Sequence, residues 1–194
     1  MVIIIKNEEA KIGWCLNSVK DLADEIIIVD DLSSDCIVEL CREHGAKVVI
    51  NESKGNFSRQ RNIGIENAQC EWILQMDADE IVPVETVQKI RSVITNSGIF
   101  VAFKIRRKNF FIGHPIRYSG NYAYSLRIFK KCAGHYVGNV HESLEIDGPA
   151  GQIDADINHH PFNSIYKVIE RANFYTDIES PNLLKKMGSI SEKK

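Results

Sequence analysis

Four short apolar runs, at residues 2–5, 25–30, 46–50 and 72–76, alternate with stretches of helical spacing, and this alternation restricts the fold more than any other feature of the chain. The runs are nearly continuous in Ile and Val instead of alternating with polar residues, so each strand is expected to be buried on both faces. Between the first two runs, Ile12, Cys15, Leu16 and Val19 share one helical face; between the second and third, Ile37, Leu40 and Cys41 do the same. Ser33 or Ser34 is positioned to cap that second helix and Gly45 to end it. Residues 58–68 are expected to be helical. Pro83 fits the first turn of a further helix whose apolar positions are Val84, Val87, Ile90 and Ile94. Strand and helix in strict alternation define an α/β fold, a mainly parallel sheet flanked by helices. A chain of 194 residues, 44% of them hydrophobic, suffices for one such domain.

Beyond Gly98 the pattern changes to shorter, aromatic-rich strands at residues 99–108, 110–112, 125–130 and 136–140, which read as a small antiparallel annex. A helix is expected over 164–178 after the turn-like His159-His160-Pro161, and residues 181–194 form a tail expected to fray. One domain is therefore expected over 1–180, with residues 1–97 and 98–180 as its two halves.

Ligands of parallel α/β sheets bind outside the carboxyl ends of the strands. Three polar turns fall on that rim: Asn7-Glu8, Asp30-Asp31 and Asp77-Ala78-Asp79. Two carboxylates separated by one residue repel each other unless a cation is near, and hard ions such as Mg²⁺ or Mn²⁺ prefer oxygen ligands and accompany phosphate. A solvated acidic turn is the bland alternative for any one of them. Their shared edge is what points to a site.

Charge is distributed unevenly. Residues 1–85 carry 17 acidic and 8 basic side chains, whereas 86–141 carry 10 basic and no acidic ones. In the second segment Lys104, Arg106, Arg107, Lys108 and Arg117 are interleaved with Phe103, Phe110, Phe111 and Ile112, a mixture suited to an anionic membrane or a phosphorylated glycolipid. Five cysteines, with no Cys-x-x-Cys pair, argue against a disulfide framework and a zinc knuckle and are expected to be buried, reduced thiols. The expected location is the cytoplasm, with peripheral contact at the inner face of the membrane; no nucleic-acid partner is expected.

Arg59 and Arg61 with Asn62 open the helix that precedes the Asp77 strand, and the Arg61 fork suits a diphosphate. With this block, the chain resembles the family 2 inverting glycosyltransferases of the GT-A fold, and within them the bacterial group that includes lipopolysaccharide core β-1,4-glucosyltransferases. The resemblance covers residues 2 to about 175. It is carried by Lys6-Asn7-Glu8-Glu9, Ile28-Val29-Asp30-Asp31-Leu32-Ser33-Ser34-Asp35, Gln60-Arg61-Asn62, Met76-Asp77-Ala78-Asp79-Glu80, and Leu126-Arg127-Ile128-Phe129 with Val140-His141-Glu142. It implies a GT-A domain that takes a nucleotide sugar, most simply a UDP-sugar, with a divalent cation, and a glycan or glycolipid acceptor.

Carried over residue by residue, Asn7, Glu8 and Asp30 belong to the donor-binding set, Glu8 and Asp30 at the nucleoside. Asp77 and Asp79 reach the ribose and the metal, Arg61 the phosphates, and Glu142 stands where the family places its carboxylate base. The chain departs from the group at Ile5, where Thr is common, and at Asp31-Leu32, where the group has Ser-Gly.

Glu142 is also the first acid after 56 residues without one, and an inverting transfer needs one carboxylate beside the acceptor hydroxyl. A turn residue is the alternative for Glu142 or Asp147. His141, His159 and His160 could contact metal or phosphate, although a lone histidine is more often structural. Other classes compete for the same residues. A nucleotidyltransferase also pairs acids around Mg²⁺ but usually has a Gly-rich basic first loop, which Lys6-Asn7-Glu8-Glu9 is not. A receiver domain leaves Arg61-Asn62 without a role. A noncatalytic sugar-nucleotide-binding module is separated from an enzyme only by turnover.

Overall fold

Val2–Ile5 (β1), Ile27–Asp30 (β2), Lys47–Ile50 (β3) and Trp72–Asp77 (β4) are the four expected strands, and they lie parallel in the order β3-β2-β1-β4. The computed structural model describes residues 1–116, 123–138 and 142–161, and beyond these only the helical positions 165, 166, 169, 170, 173 and 176. Those positions fall within the expected 164–178 helix. The 181–194 tail, Arg117 and His141 lie outside the described residues.

Successive side chains of the buried strands pack into two different cores. Ile3, Ile5, Ile28, Leu74 and Met76 face the helices Glu9–Val19 (α1), Ile37–Glu43 (α2) and Val84–Thr95 (α4). Val2, Ile27 and Ile73 face the other way, toward Ile65 of Phe57–Asn67 (α3) and toward Phe129 and Tyr136. This two-sided burial is why the runs of β1, β2 and β4 contain no polar alternation; β3, at the sheet edge, departs from the expectation, with Lys47 and Ile50 exposed and Val48 and Val49 half-buried. In α4 the buried face is made by Thr86 and Ile90, with Val87, Val93 and Ile94 at its edge; Val84 is exposed, because only part of the expected apolar set meets the sheet.

Gly64 marks a close approach of α3 to the sheet. A Cβ there would stand 2.3 Å from Cγ1 of Val2, a fully buried side chain. Gly64→Ala is therefore expected to destabilise the protein by about 1–3 kcal/mol, the usual cost of overpacking, read as a lower midpoint in urea with unchanged slope; a change below ~0.5 kcal/mol would show that α3 can move away freely.

The sheet continues past β4 through Tyr124–Lys130 (β8), Ala102–Phe111 (β6), Ala150–His159 (β11) and Glu80–Ile81 (β5), with the short His114–Pro115 (β7) paired to β6. Gly134–Val137 (β9) and Ser143–Ile146 (β10) form a separate antiparallel pair. Two expected strands, 99–108 and 110–112, are one continuous strand, β6. The ten-residue β11 was not expected at all. It runs parallel to β6 and antiparallel to β5, pairing His159 with Glu80. That last register places the end of β11 beside the Asp77–Glu80 turn. All five cysteines are free; Cys15 and Cys41 are buried as expected, but Cys36 and Cys132 are exposed.

Candidate active site

The strand register brings the three rim turns together: Ile5 pairs with Asp30 across β1 and β2, and Ile4 with Asp77 across β1 and β4. An open cavity of about 1060 Å³ lies over this edge, lined on one side by Lys6, Glu8, Asp31, Ser53, Gln60, Asp77 and Asp79. Arg107, Asn109, Phe110 and His159 line it from the annex, so both halves of the chain, divided near residue 97, contribute walls. A second cavity of about 420 Å³ adjoins it, lined by Arg61, Arg127, Tyr136 and Glu142 among others. Asp77 and Arg107 belong to both cavities.

Asn7 and Asp30 shape the floor without lining either cavity. The Asn7 amide oxygen accepts from the Ser34 backbone N–H (2.8 Å), and the Asn7 N–H donates to the Ser33 hydroxyl (2.9 Å). Ser33 thus does not cap α2. Nor does Ser34; the N-cap is Cys36, without a side-chain cap bond, and the backbone N–H groups of Cys36 and Ile37 donate to the carboxylates of Glu9 and Asp35. Asp30 is buried; its Oδ2 accepts from Ser33 N–H, while Oδ1 is buried with no partner. Leu32 occupies φ +54°, a left-handed conformation that glycine adopts freely and that costs other residues roughly 1–2 kcal/mol. The departure from Ser-Gly at this turn therefore changes the residue and keeps a glycine-like backbone, held by the hydrogen bonds around it. Asp31 faces the cavity. It accepts from Ser53 N–H (2.7 Å), the Ser53 hydroxyl (2.8 Å) and Lys6 Nζ (3.0 Å). Burial opposes its ionisation, but the Ser53 and Lys6 contacts outweigh it and hold the carboxyl below the usual range.

Between the cavities lies an ion-pair network that sequence reasoning did not foresee. Asp77 is approached by Arg61 Nη2 (3.2 Å), Arg107 Nη2 (3.5 Å) and Arg127 Nη2 (3.6 Å). Burial alone would raise its pKa; the guanidiniums of Arg127, Arg61 and Arg107 hold it well below the carboxylate range. Glu80 is fully buried, with Arg127 Nη2 at 2.9 Å, Arg107 Nε at 3.0 Å and the Asp77 N–H donating to Oε2 (2.9 Å). Burial pushes this carboxyl upward, against those guanidiniums. A carboxyl with no exposed surface cannot reach an acceptor, so Glu80, although it adjoins the acidic turn, is not available as a base. Arg61 also binds Glu142, through Nε (3.0 Å) and Nη2 (2.9 Å), both on Oε1, while its guanidinium stacks over Tyr136.

Asp79 points elsewhere. Its Oδ2 lies 3.3 Å from His159 Nε2 and 4.0 Å from Lys11 Nζ, and His159 Nδ1 is fixed by the Asn109 amide oxygen at 2.6 Å. Burial would raise the Asp79 carboxyl, but the hydrogen bond and charge of His159, with Lys11, bring it below its ordinary value. Adjacent ligands of one ion held at about 2.1 Å are about 3 Å apart, close to the 3.3 Å of this Asp–His pair, so the two side chains could share a divalent cation. The Nε2 proton that bridges to Asp79 would give way to a cation bound there, with Nδ1 held on the Asn109 amide oxygen. Among the described residues no group of three or more His, Cys, Asp or Glu side chains is placed to hold a metal. A cation here would take its remaining ligands from a bound diphosphate and water, the habit of Mg²⁺-type sites. Position 159 carried a signal in sequence: a histidine at the end of a run whose buried positions, Ile153, Ala155 and Ile157, alternate.

The basic 86–141 segment is largely answered inside the fold. Arg107 and Arg127 meet Asp77 and Glu80; Arg106 meets Asp154 (3.0 Å) and Asp156 (2.6 Å) of β11. Phe103 is buried, while Phe111 and Ile112 are exposed. Among the described residues no helix is long and apolar enough to cross a membrane.

The α/β sheet thus carries its acidic turns over an open cavity at the carboxyl edge of its parallel strands, where folds of this class bind ligands. Residues 1–141 match the family described as glycosyl transferase family 2, and the chain belongs to that family. An uncharacterized glycosyltransferase of Rickettsia typhi is 27% identical over 97% of this chain and 69% of its own length. Among solved structures, S. aureus TarS 1-349 superposes with a TM-score of 0.55 at 23% identity, covering 68% of this chain and 46% of TarS, which supports the GT-A fold. Its complex with UDP-GlcNAc gives a TM-score of 0.50 at 26% identity over 61% of this chain and 36% of that one. The chain thus spans about two thirds of the rickettsial relative and less than half of TarS.

Proposed function

We propose that this protein transfers a sugar from a UDP-sugar to a hydroxyl of a glycan or glycolipid, with inversion at the anomeric carbon. The observation that carries this reading is the pair of adjoining cavities sharing Asp77, one with Asp79 and His159, the other with Glu142. The TarS complex with UDP-GlcNAc supports a UDP-sugar donor. The larger cavity would take the donor, with Glu8 and Asp31 offered to the nucleoside and Asp30 beneath them shaping the floor. The smaller cavity would take the acceptor hydroxyl.

In the transfer, the acceptor O–H gives its proton to Glu142 while the oxygen bonds to the anomeric carbon from the face opposite the diphosphate; the electrons of the breaking C–O bond leave on the diphosphate. Arg61 orients Glu142 by holding Oε1, which leaves Oε2 to take the proton. Asp79 and His159 would hold a Mg²⁺ or Mn²⁺ ion, whose charge offsets that of the departing diphosphate. The resemblance to the lipopolysaccharide core β-1,4-glucosyltransferase group favours a bacterial cell-surface acceptor. Contact with an anionic membrane would rest on Lys104, Lys108, Phe111 and Ile112, since Arg107 is paired with Asp77 and Glu80 and Arg106 with Asp154 and Asp156.

Calorimetry with UDP tests the donor side. In the wild type, Mn²⁺ is expected to strengthen UDP binding and EDTA to weaken it; Asp79→Ala should abolish that difference while melting like the wild type. Equal UDP affinity for both proteins in Mn²⁺ would remove Asp79 from the cation site.

A further inference from the structure

We propose that Arg107 is the side chain that binds the donor diphosphate, turning to it from Asp77 and Glu80; this rests on the UDP-sugar reading above. The resemblance gives that role to Arg61, but Arg61 lines only the smaller cavity, its Nε and Nη2 are spent on Glu142 and Asp77, and its remaining Nη1, though unpartnered, is buried. Three guanidiniums surround one carboxylate, more than Asp77 needs for neutralisation. They are not equivalent.

Arg61 and Arg127 are buried, with side chains 10% and 11% exposed, whereas that of Arg107 is 32% exposed. Arg127 donates to Glu80 at 2.9 Å, a well-formed hydrogen bond. Arg107 Nε lies 3.0 Å from the same oxygen yet at an angle that forms no hydrogen bond, which leaves a buried donor unsatisfied. Its contact with Asp77 is long, at 3.5 Å, as is that of Arg127 at 3.6 Å, but Arg127 has its firm bond to Glu80 and Arg107 does not. Arg107 is thus the most loosely held of the three and the only one lining the donor cavity. It also reaches the second cavity, so it stands at the boundary where the bond to the diphosphate would break. If it turns to the phosphates, Asp77 keeps Arg61 and Arg127, and Glu80 keeps Arg127 and the Asp77 N–H. Two satisfied phosphate contacts replace one long contact and one misaligned one.

Titrations of uridine, UMP and UDP into the Mn²⁺-supplemented protein test this. Arg107→Gln is expected to weaken UDP binding roughly 10- to 100-fold, the range of a hydrogen bond to a charged group, to weaken UMP less, and to leave uridine within about twofold. Arg107→Lys, which keeps the charge and loses the fork, should fall between, and serves alone if the glutamine variant does not fold. Unchanged UDP affinity, or equal losses for uridine and UDP, would overturn the assignment. A wild type that binds none of the three would overturn the UDP-sugar reading itself and this inference with it.

Discussion

Replacing Glu142 by glutamine is expected to lower kcat by about 10²- to 10⁴-fold, the usual contribution of a general base, while donor affinity changes little. The amide keeps the shape of the carboxylate and still offers an oxygen to Arg61, whose Nε and Nη2 lie 3.0 and 2.9 Å from Oε1. What it loses is the capacity to accept a proton. The donor cavity does not include Glu142, so calorimetry with UDP should give nearly the wild-type value. A variant retaining most of its turnover would place the base elsewhere; Asp147 is then next in line, since Glu80 is sealed beneath Arg107 and Arg127.

The second large effect is on stability. Arg127→Met is expected to cost about 3–5 kcal/mol, because it leaves Glu80, with no exposed surface, short of its best-aligned partner. Adding Glu80→Gln should recover part of that loss, since the penalty lies chiefly in the uncompensated buried charge. Urea denaturation of both single variants and the double variant decides the matter. A loss below ~1 kcal/mol for Arg127→Met, or simple additivity in the double variant, would mean that the network under Asp77 is not what holds the turn.

Much of this architecture was readable before any coordinates. The parallel half was legible because two-sided burial forces continuous runs such as Ile27–Asp30, a pattern that few other environments produce. The acidic turns were legible because parallel strands place their carboxyl ends on one rim. β11 was not. Its residues 150–159 include Gly151, Asp154, Asp156 and Asn158, all poor strand formers, and its strand identity comes from pairing with β6 some fifty residues earlier.

The charge asymmetry was visible, but its meaning was not. A segment rich in Arg and Lys with no carboxylate suggested an outward anionic partner, whereas Arg107 and Arg127 turn inward to Asp77 and Glu80, and Arg106 to β11. Which charges meet depends on sheet order, which places β8 between β4 and β6. For the same reason, Asp79 could be read as a metal ligand from its motif and His159 as a candidate contact for metal or phosphate, while their pairing, delivered by the β11–β5 register, could not.

Thermal unfolding of the wild-type protein against a panel of nucleotide sugars, with Mn²⁺ or with EDTA, tests the account most directly. A ligand at roughly 100 times its dissociation constant adds about 2.7 kcal/mol to stability. The account predicts a clear rise in melting temperature with at least one UDP-sugar, larger in Mn²⁺ than in EDTA and absent with uncharged sugars alone. No shift with any nucleotide sugar in either condition would contradict it.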